Sequence, residues 1–209
     1  MTQNVHDDVA GLLGCYSALS VPSRSQVHLL ADTVLHSETR MTRLEEEPCI
    51  EVRQATASDL DVVVSILREA ADWLTEKGIP LWPSSDFTSE RMQPAVDVGD
   101  LIVAEDTQEV VAVVLRQWED PLFWPDHATG EAAHLHKLAV RRAKAGQGYV
   151  EALMNWIAVD TAGRGIKYLR LDCAPRAALL GVYEKLGFVL IDQRKVDHFT
   201  VARLQKKVL

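Results

Sequence analysis

AHLHKLAVRRAKAGQGYVEA, residues Ala133 to Ala152, runs from an apolar strand through a basic corner and a glycine-bearing turn into the first turn of a helix. A turn of that kind leaves several backbone N–H groups facing one space, with the positive end of the helix dipole behind them. Phosphate suits such a place. Gly146 and Gly148 remove bulk where a ligand would lie against the backbone. An ordinary strand-to-helix turn also carries two glycines, and Arg141, Arg142 and Lys144 could equally be a solvated corner. The neighbours of the turn have to choose between these readings.

Outward from it, the strand predicted over Ala133 to Val140 is followed by a helix from Gly148 to Ala162, stopped by Gly163-Arg164-Gly165. Downstream lie a strand from Ile166 to Asp172, a helix from Arg176 to Leu186 capped by Gly187, and a strand pair, Phe188 to Val196 and Phe199 to Leu204. Upstream, Trp118 to Gly130 is a long aromatic loop, and Leu101 to Glu105 with Val110 to Gln117 forms a hairpin. Ile50 to Ala55 alternates as a strand, and Ala57-Ser58-Asp59 opens a helix. That helix carries its apolar stripe on Leu60, Val63, Val64, Leu67, Ala71 and Leu74 and closes at Lys77-Gly78. A loop over Ile79 to Ser85 and a short helix near Thr88 to Val96 complete the set. Strands and helices are mixed, with crossover helices late in the chain. That order predicts an α/β or α+β sheet with helices on both faces.

The chain has 209 residues, enough for one domain with an extension. Residues 47–209 read as that domain. Residues 1–46 read as an N-terminal extension, either helical, with amphipathic segments over Val5 to Leu19 and Gln26 to Leu35, or poorly ordered, with Met41 as the true start. At 47% hydrophobic and 25% charged the composition is that of a soluble globular protein. A formal net charge of −8 argues against a nucleic-acid partner and is compatible with a cationic substrate. Cys15, Cys49 and Cys173 show no metal-ligand spacing and read as thiols of a reducing compartment. No apolar run reaches the length of a membrane span, so the expected location is cytoplasmic, with no membrane partner.

Three features could carry chemistry. Tyr183 ends a helix just before Gly187-Phe188, and a phenol can act as a general acid; its plain alternative is core packing. His134 and His136 share one face of a strand, where they could carry protons or simply pack; two histidines alone make no zinc site, and no metal is expected. Trp82 and Trp118, Phe123 and Trp124 lie in or beside two loops, where aromatics either pack or line a pocket for an organic substrate.

Taken together, LAVRRAKAGQGYVEALMNW (138–156), LRLDCAPRAALLGVYEKLGF (169–188) and IEVRQATASDL (50–60) resemble the GNAT superfamily of N-acetyltransferases over roughly Ile50 to Leu204. The resemblance implies a mixed, mostly antiparallel sheet whose fourth strand splays from the fifth, with helices on both faces. It implies acetyl-CoA as cosubstrate, its pantetheine arm along Leu138, Ala139 and Val140, and its diphosphate on the turn from Ala145, Gly146, Gln147 and Gly148 to Tyr149 and Val150, with Arg176 nearby. It further implies direct attack by a primary amine of a small molecule or peptide, with Tyr183 protonating the departing thiolate, in a monomer or homodimer. AHLHKLAV (133–140) also resembles the strand of arylalkylamine N-acetyltransferases whose paired histidines take part in a proton path. This makes His134 and His136 the first candidates for the base and Glu119 and Asp120 the second, with Asp120 also a substrate contact beside Trp82, Trp118, Phe123 and Trp124. Two departures from the family pattern stand out. Ala145 and Val150 replace the usual first and last residues of the turn, with a branched Cβ at Val150, and Ala174-Pro175-Arg176-Ala177 lacks the usual asparagine. The alternative reading is a weak or inactive GNAT-fold protein that binds acetyl-CoA or a protein partner in a regulatory role.

Overall fold

The computed structural model describes residues 50–107, 109–197 and 199–209. The two amphipathic segments before residue 46, and the boundary there, lie outside the described residues. Strand β1 (Ile50–Gln54) leads through one 3-10 turn into α1 (Leu60–Glu76); α2 (Ser89–Asp97), β2 (Leu101–Asp106), β3 (Glu109–Gln117) and β4 (Ala132–Val140) follow. Then come α3 (Tyr149–Gly163), β5 (Tyr168–Cys173), α4 (Ala177–Lys185), β6 (Val189–Val196) and β7 (Phe199–Lys207). The seven strands form one sheet in the order β1-β2-β3-β4-β5-β7-β6. Every adjacent pair is antiparallel except β4 and β5.

Local chemistry explains the elements. A capping box joins Thr56 to Asp59 ahead of α1, and Arg53 reaches both Asp59 and Glu105 at 2.8 Å, tying the helix start to β1 and β2. The predicted stripe of α1 is buried at every position, and all of it but Leu74, with Ile66 and Ala70 added, clusters with Leu101, Val103, Val113 and Leu115 of the sheet. On the other face α3 and α4 pack through Val150, Leu153, Ile157, Leu179 and Tyr183 onto Ile102, Val114, Leu135 and Leu171. Element ends differ from the sequence expectation by a residue or two, as caps fray. The larger change is β7, which continues past Leu204 to Lys207 because its polar end pairs with the start of β5, Tyr168 opposite Lys207. Among the described residues no helix is long and apolar enough to cross a membrane.

Candidate active site

Two irregularities of β4 build the site. Its parallel ladder with β5 runs from Ala132 opposite Tyr168 to Leu135 opposite Leu171 and stops, while β4 itself continues to Val140. Beyond Leu135 the two strands diverge, so the β5-facing backbone of Leu138, Ala139 and Val140 has no strand partner on that side. The second irregularity is a bulge. His136 pairs with Leu115 and Ala139 with Val113, so three steps on β4 match two on β3. Leu135 and Leu138 both enter the α3 and α4 core despite being three residues apart. The extra residue leaves His136 and Lys137 together on the opposite face, with Lys137 at φ +53°.

The gap between β4 and β5 is the mouth of a cavity of about 600 Å³. Its walls come from β4 (His136, Lys137, Leu138), β5 (Asp172, Cys173), α4 (Leu179, Tyr183), the loop after α1 (Leu81, Trp82) and Phe123 of the β3–β4 loop.

The turn into α3 follows directly on β4. Gly146 and Gly148 take φ +83° and +88°, and Gly148 is the N-cap, with no side chain to satisfy the first amides of the helix. A Cβ built on Gly148 would meet nothing nearer than Ile50 Cδ1 at 3.9 Å, so the space over these amides is open. The turn is anchored from behind. Lys144 Nζ and Tyr149 Oη reach Asp106 Oδ2 at 2.9 and 2.8 Å, and the buried Tyr149 phenol is pushed up to about 12 by burial and then by that carboxylate. Arg141 binds Ser65 and Glu69 of α1, and Arg142 stacks on Trp73 at 3.9 Å. The basic corner is therefore held by the protein, and the backbone amides are what it offers to a phosphate. Val150 is 2% exposed and points into the core. Its branched Cβ, the departure noted in the sequence, stands away from the amides. Arg176, the N-cap of α4, lines the cavity and has no acidic partner among the described residues.

Three other side chains converge. His136 Nε2 lies 3.6 Å from Asp120 Oδ2, and His136 Nδ1 lies 3.8 Å from Asp172 Oδ1. These are distances for a bridging polar atom rather than for direct hydrogen bonds. Asp120 Oδ2, His136 Nε2 and Asp172 Oδ1 make no hydrogen bond within the protein. Asp120 is brought over β4 by its loop: its Oδ1 accepts from the Phe123 amide at 3.0 Å, and the loop is pinned by buried Arg203, which binds the Phe123 carbonyl and Asp126. Burial, then the charge of Asp120, pushes the Asp172 carboxyl up to about 7; a backbone hydrogen bond and the Lys137 charge oppose this. Burial lowers His136, with Asp120 opposing. The Tyr183 phenol is raised far above its ordinary value by burial, then by Cys173 and Asp172, so it keeps its proton. Cys173 is pushed up to about 12 and stays a thiol. Donor atoms of Asp120, His136 and Asp172 lie within 4.8 Å of one another, a spacing that could hold a metal ion. Each carboxylate faces a different nitrogen of His136, however, an arrangement that passes protons more readily than it converges on one cation.

The sequence-derived candidates meet different fates. Tyr183, His136, Trp82, Phe123, Leu138 and Arg176 share the cavity. His134 sits behind it, buried against Trp124 with ring centroids 5.8 Å apart, and burial lowers it to about 4, with Asp120 opposing. Trp124 is itself buried beneath Arg170 and Arg203. Glu119 is exposed. Trp118 is not brought to the cavity: it packs beside the α3 core between the guanidinium groups of Arg116 and Arg164, at 4.4 and 5.1 Å. Sequence reading missed Asp172 and Lys137. For Asp172 a signal existed: Leu169, Leu171 and Cys173 alternate inward, which turns Arg170 and Asp172 to the face of the histidines.

The fold agrees with that of related proteins. Residues 67–188, more than half of the chain, match the family model described as Acetyltransferase (GNAT) family. An uncharacterised N-acetyltransferase of Bacillus subtilis (strain 168), YesJ, is 29% identical over 152 residues, 64% of this chain and 78% of that protein. A GNAT-family acetyltransferase structure from Listeria monocytogenes superposes with a TM-score of 0.63 at 21% identity, over 76% of this chain and 94% of the other. A paiA N-acetyltransferase from Thermoplasma acidophilum, solved in complex with coenzyme A, gives 0.60 at 17% identity, over 76% and 98%. With its matching residues spanning the splayed strands, the amide-lined turn and the Tyr183 helix, the chain belongs to the GNAT family of acetyltransferases.

Proposed function

We propose that the protein transfers the acetyl group of acetyl-CoA to a primary amine, of a small molecule or a peptide, by direct attack in a ternary complex. One observation carries this reading: β4 parts from β5 beyond Leu135 and runs on into an open-amide turn, and the cavity between the two strands holds the His136 and Asp172 pair with Tyr183. The diphosphate rests on the amides from Gly146 to Val150, and the pantetheine arm lies along Leu138 to Val140. The backbone N–H at Leu138 stabilises the charge developing on the thioester oxygen. As the nitrogen bonds to the carbonyl carbon and the C–S bond breaks, His136 and Asp172 take the proton the amine must shed, and Tyr183 gives its own to the sulfur. Val150 lends no support to the binding-only alternative, because its side chain lies in the core.

Acetyl-CoA titration by calorimetry, followed by thiol release with a panel of primary amines, tests the reading. Binding with thiol release is the expected result. No binding at millimolar acetyl-CoA overturns it; binding without release on any amine leaves the regulatory alternative.

A further inference from the structure

Three non-glycine residues among those described have positive φ: Thr107, Asp197 and Lys137. The first two follow β2 and β6 in hairpin turns, where a left-handed residue is what the turn uses. Lys137 stands inside a central strand, at the bulge. There a lysine bears the cost of a left-handed backbone without glycine's freedom. Its ammonium hangs 5.6 Å from the Trp82 ring centroid and 5.2 Å from that of Phe87, on the cavity wall. It makes no ion pair among the described residues. Asp86, on the same loop as Trp82, is held instead by Arg91 at 2.7 Å. Burial lowers the proton affinity of Lys137, with Asp86 and Asp172 opposing. A half-buried cation is costly unless an anion meets it.

One residue away the wall has the opposite sign, with Asp120 and Asp172 on either side of His136. The same face therefore offers an anionic corner for an amine and, beside it, an unpaired cation. A plain amine would satisfy only the first and would bring a second positive charge towards Lys137. We propose that the acceptor is a zwitterion, a primary amine that carries a carboxylate, with its amine at His136 and Asp172 and its carboxylate on Lys137. The identity of the reaction rests on the acetyl-transfer reading; the recognition of charge does not.

Matched pairs test it: an amino acid against the amine left when its carboxylate is removed, such as phenylalanine with phenethylamine and β-alanine with ethylamine. Each is titrated by calorimetry into the full-length protein saturated with coenzyme A, and thiol release from acetyl-CoA is followed separately. In at least one pair the carboxylate-bearing member should bind about tenfold tighter or more, the strength of one charge-assisted hydrogen bond. Lys137→Met should erase that advantage and Lys137→Arg should keep it, with thermal unfolding showing that both variants fold. Equal affinity within every pair, preference for the plain amines, a preference untouched by Lys137→Met, or no acceptor binding at all overturns the proposal. Carboxylate-dependent binding without thiol release upholds the proposal and sinks the acetyl-transfer reading; thiol release with plain amines as readily as with amino acids does the reverse.

Discussion

At the scale of single residues, the site holds two groups of opposite duty tuned by the same burial. Tyr183 keeps its proton at any working pH and Asp172 gives its own up near neutrality. General acid help is typically worth about 10²–10⁴-fold. Tyr183→Phe should lower turnover by such a factor while acetyl-CoA affinity, read by calorimetry, changes little; a variant with wild-type turnover would reduce Tyr183 to packing. The base side gives a sharper test. If Asp172 accepts the proton, kcat/KM rises as pH passes about 7, because the working form is the carboxylate. If His136 acts alone, the rise lies below the ordinary 6.5 of histidine, since burial lowers it. Asp172→Asn should therefore remove the limb near 7 along with about 10²-fold or more of the rate. A profile unchanged by that substitution would return the role to His136.

At the scale of elements, the turn into α3 owes its function to a backbone shape. Gly148→Ala adds a methyl that meets only Ile50 at 3.9 Å, at φ +88°. Stability should fall by about 1–2 kcal/mol, the cost of a left-handed alanine. Acetyl-CoA affinity should fall by more than that, since the methyl projects over the open amides; equal losses of the two would show that the amides are not the cradle. Most elements were legible because their burial is one-sided: the α1 stripe and the alternation of β1 dictate what they are. What stayed hidden depends on partners across space. AHLHKLAV reads the same with or without a bulge, and only the three-residue step from Leu135 to Leu138 betrays it. Trp82, Trp118 and Trp124 look alike in sequence, yet only Trp82 lines the cavity, because buried arginines take the other two. Arg116, Arg170 and Arg203 carry no such pattern in sequence; each is nearly fully buried and tied to a carboxylate from a distant element.

At the scale of the whole molecule, the site's chemistry is set against its stability, and pH exposes the opposition. The Asp172 carboxyl ionises near 3.8 in an unfolded chain and near 7 in the fold. Its raised value means stability that is complete below about 4, declines as pH climbs, and is lost above about 7. His134 runs the other way. Lowered from 6.5 to about 4, it contributes stability that is present above 6.5 and lost as pH falls towards 4. Between those values the two slopes oppose each other, so the native protein should show a flat unfolding temperature across mildly acidic pH. Below about 3.8 the Arg53-held Asp59, lowered to about 2, begins to give up its share as well. Asp172→Asn removes one side of the balance. The variant should melt higher than the wild type at pH 8, by roughly 2–4 °C for each kcal/mol relieved. Near pH 4, where the native carboxyl is already protonated, it should melt with the wild type, and its own melting temperature should climb with pH in between. A gain in stability joined to a loss of turnover is what a desolvated functional carboxylate produces. If the variant melts lower than the wild type at pH 8, Asp172 is holding the fold together, and the base must be sought at His136.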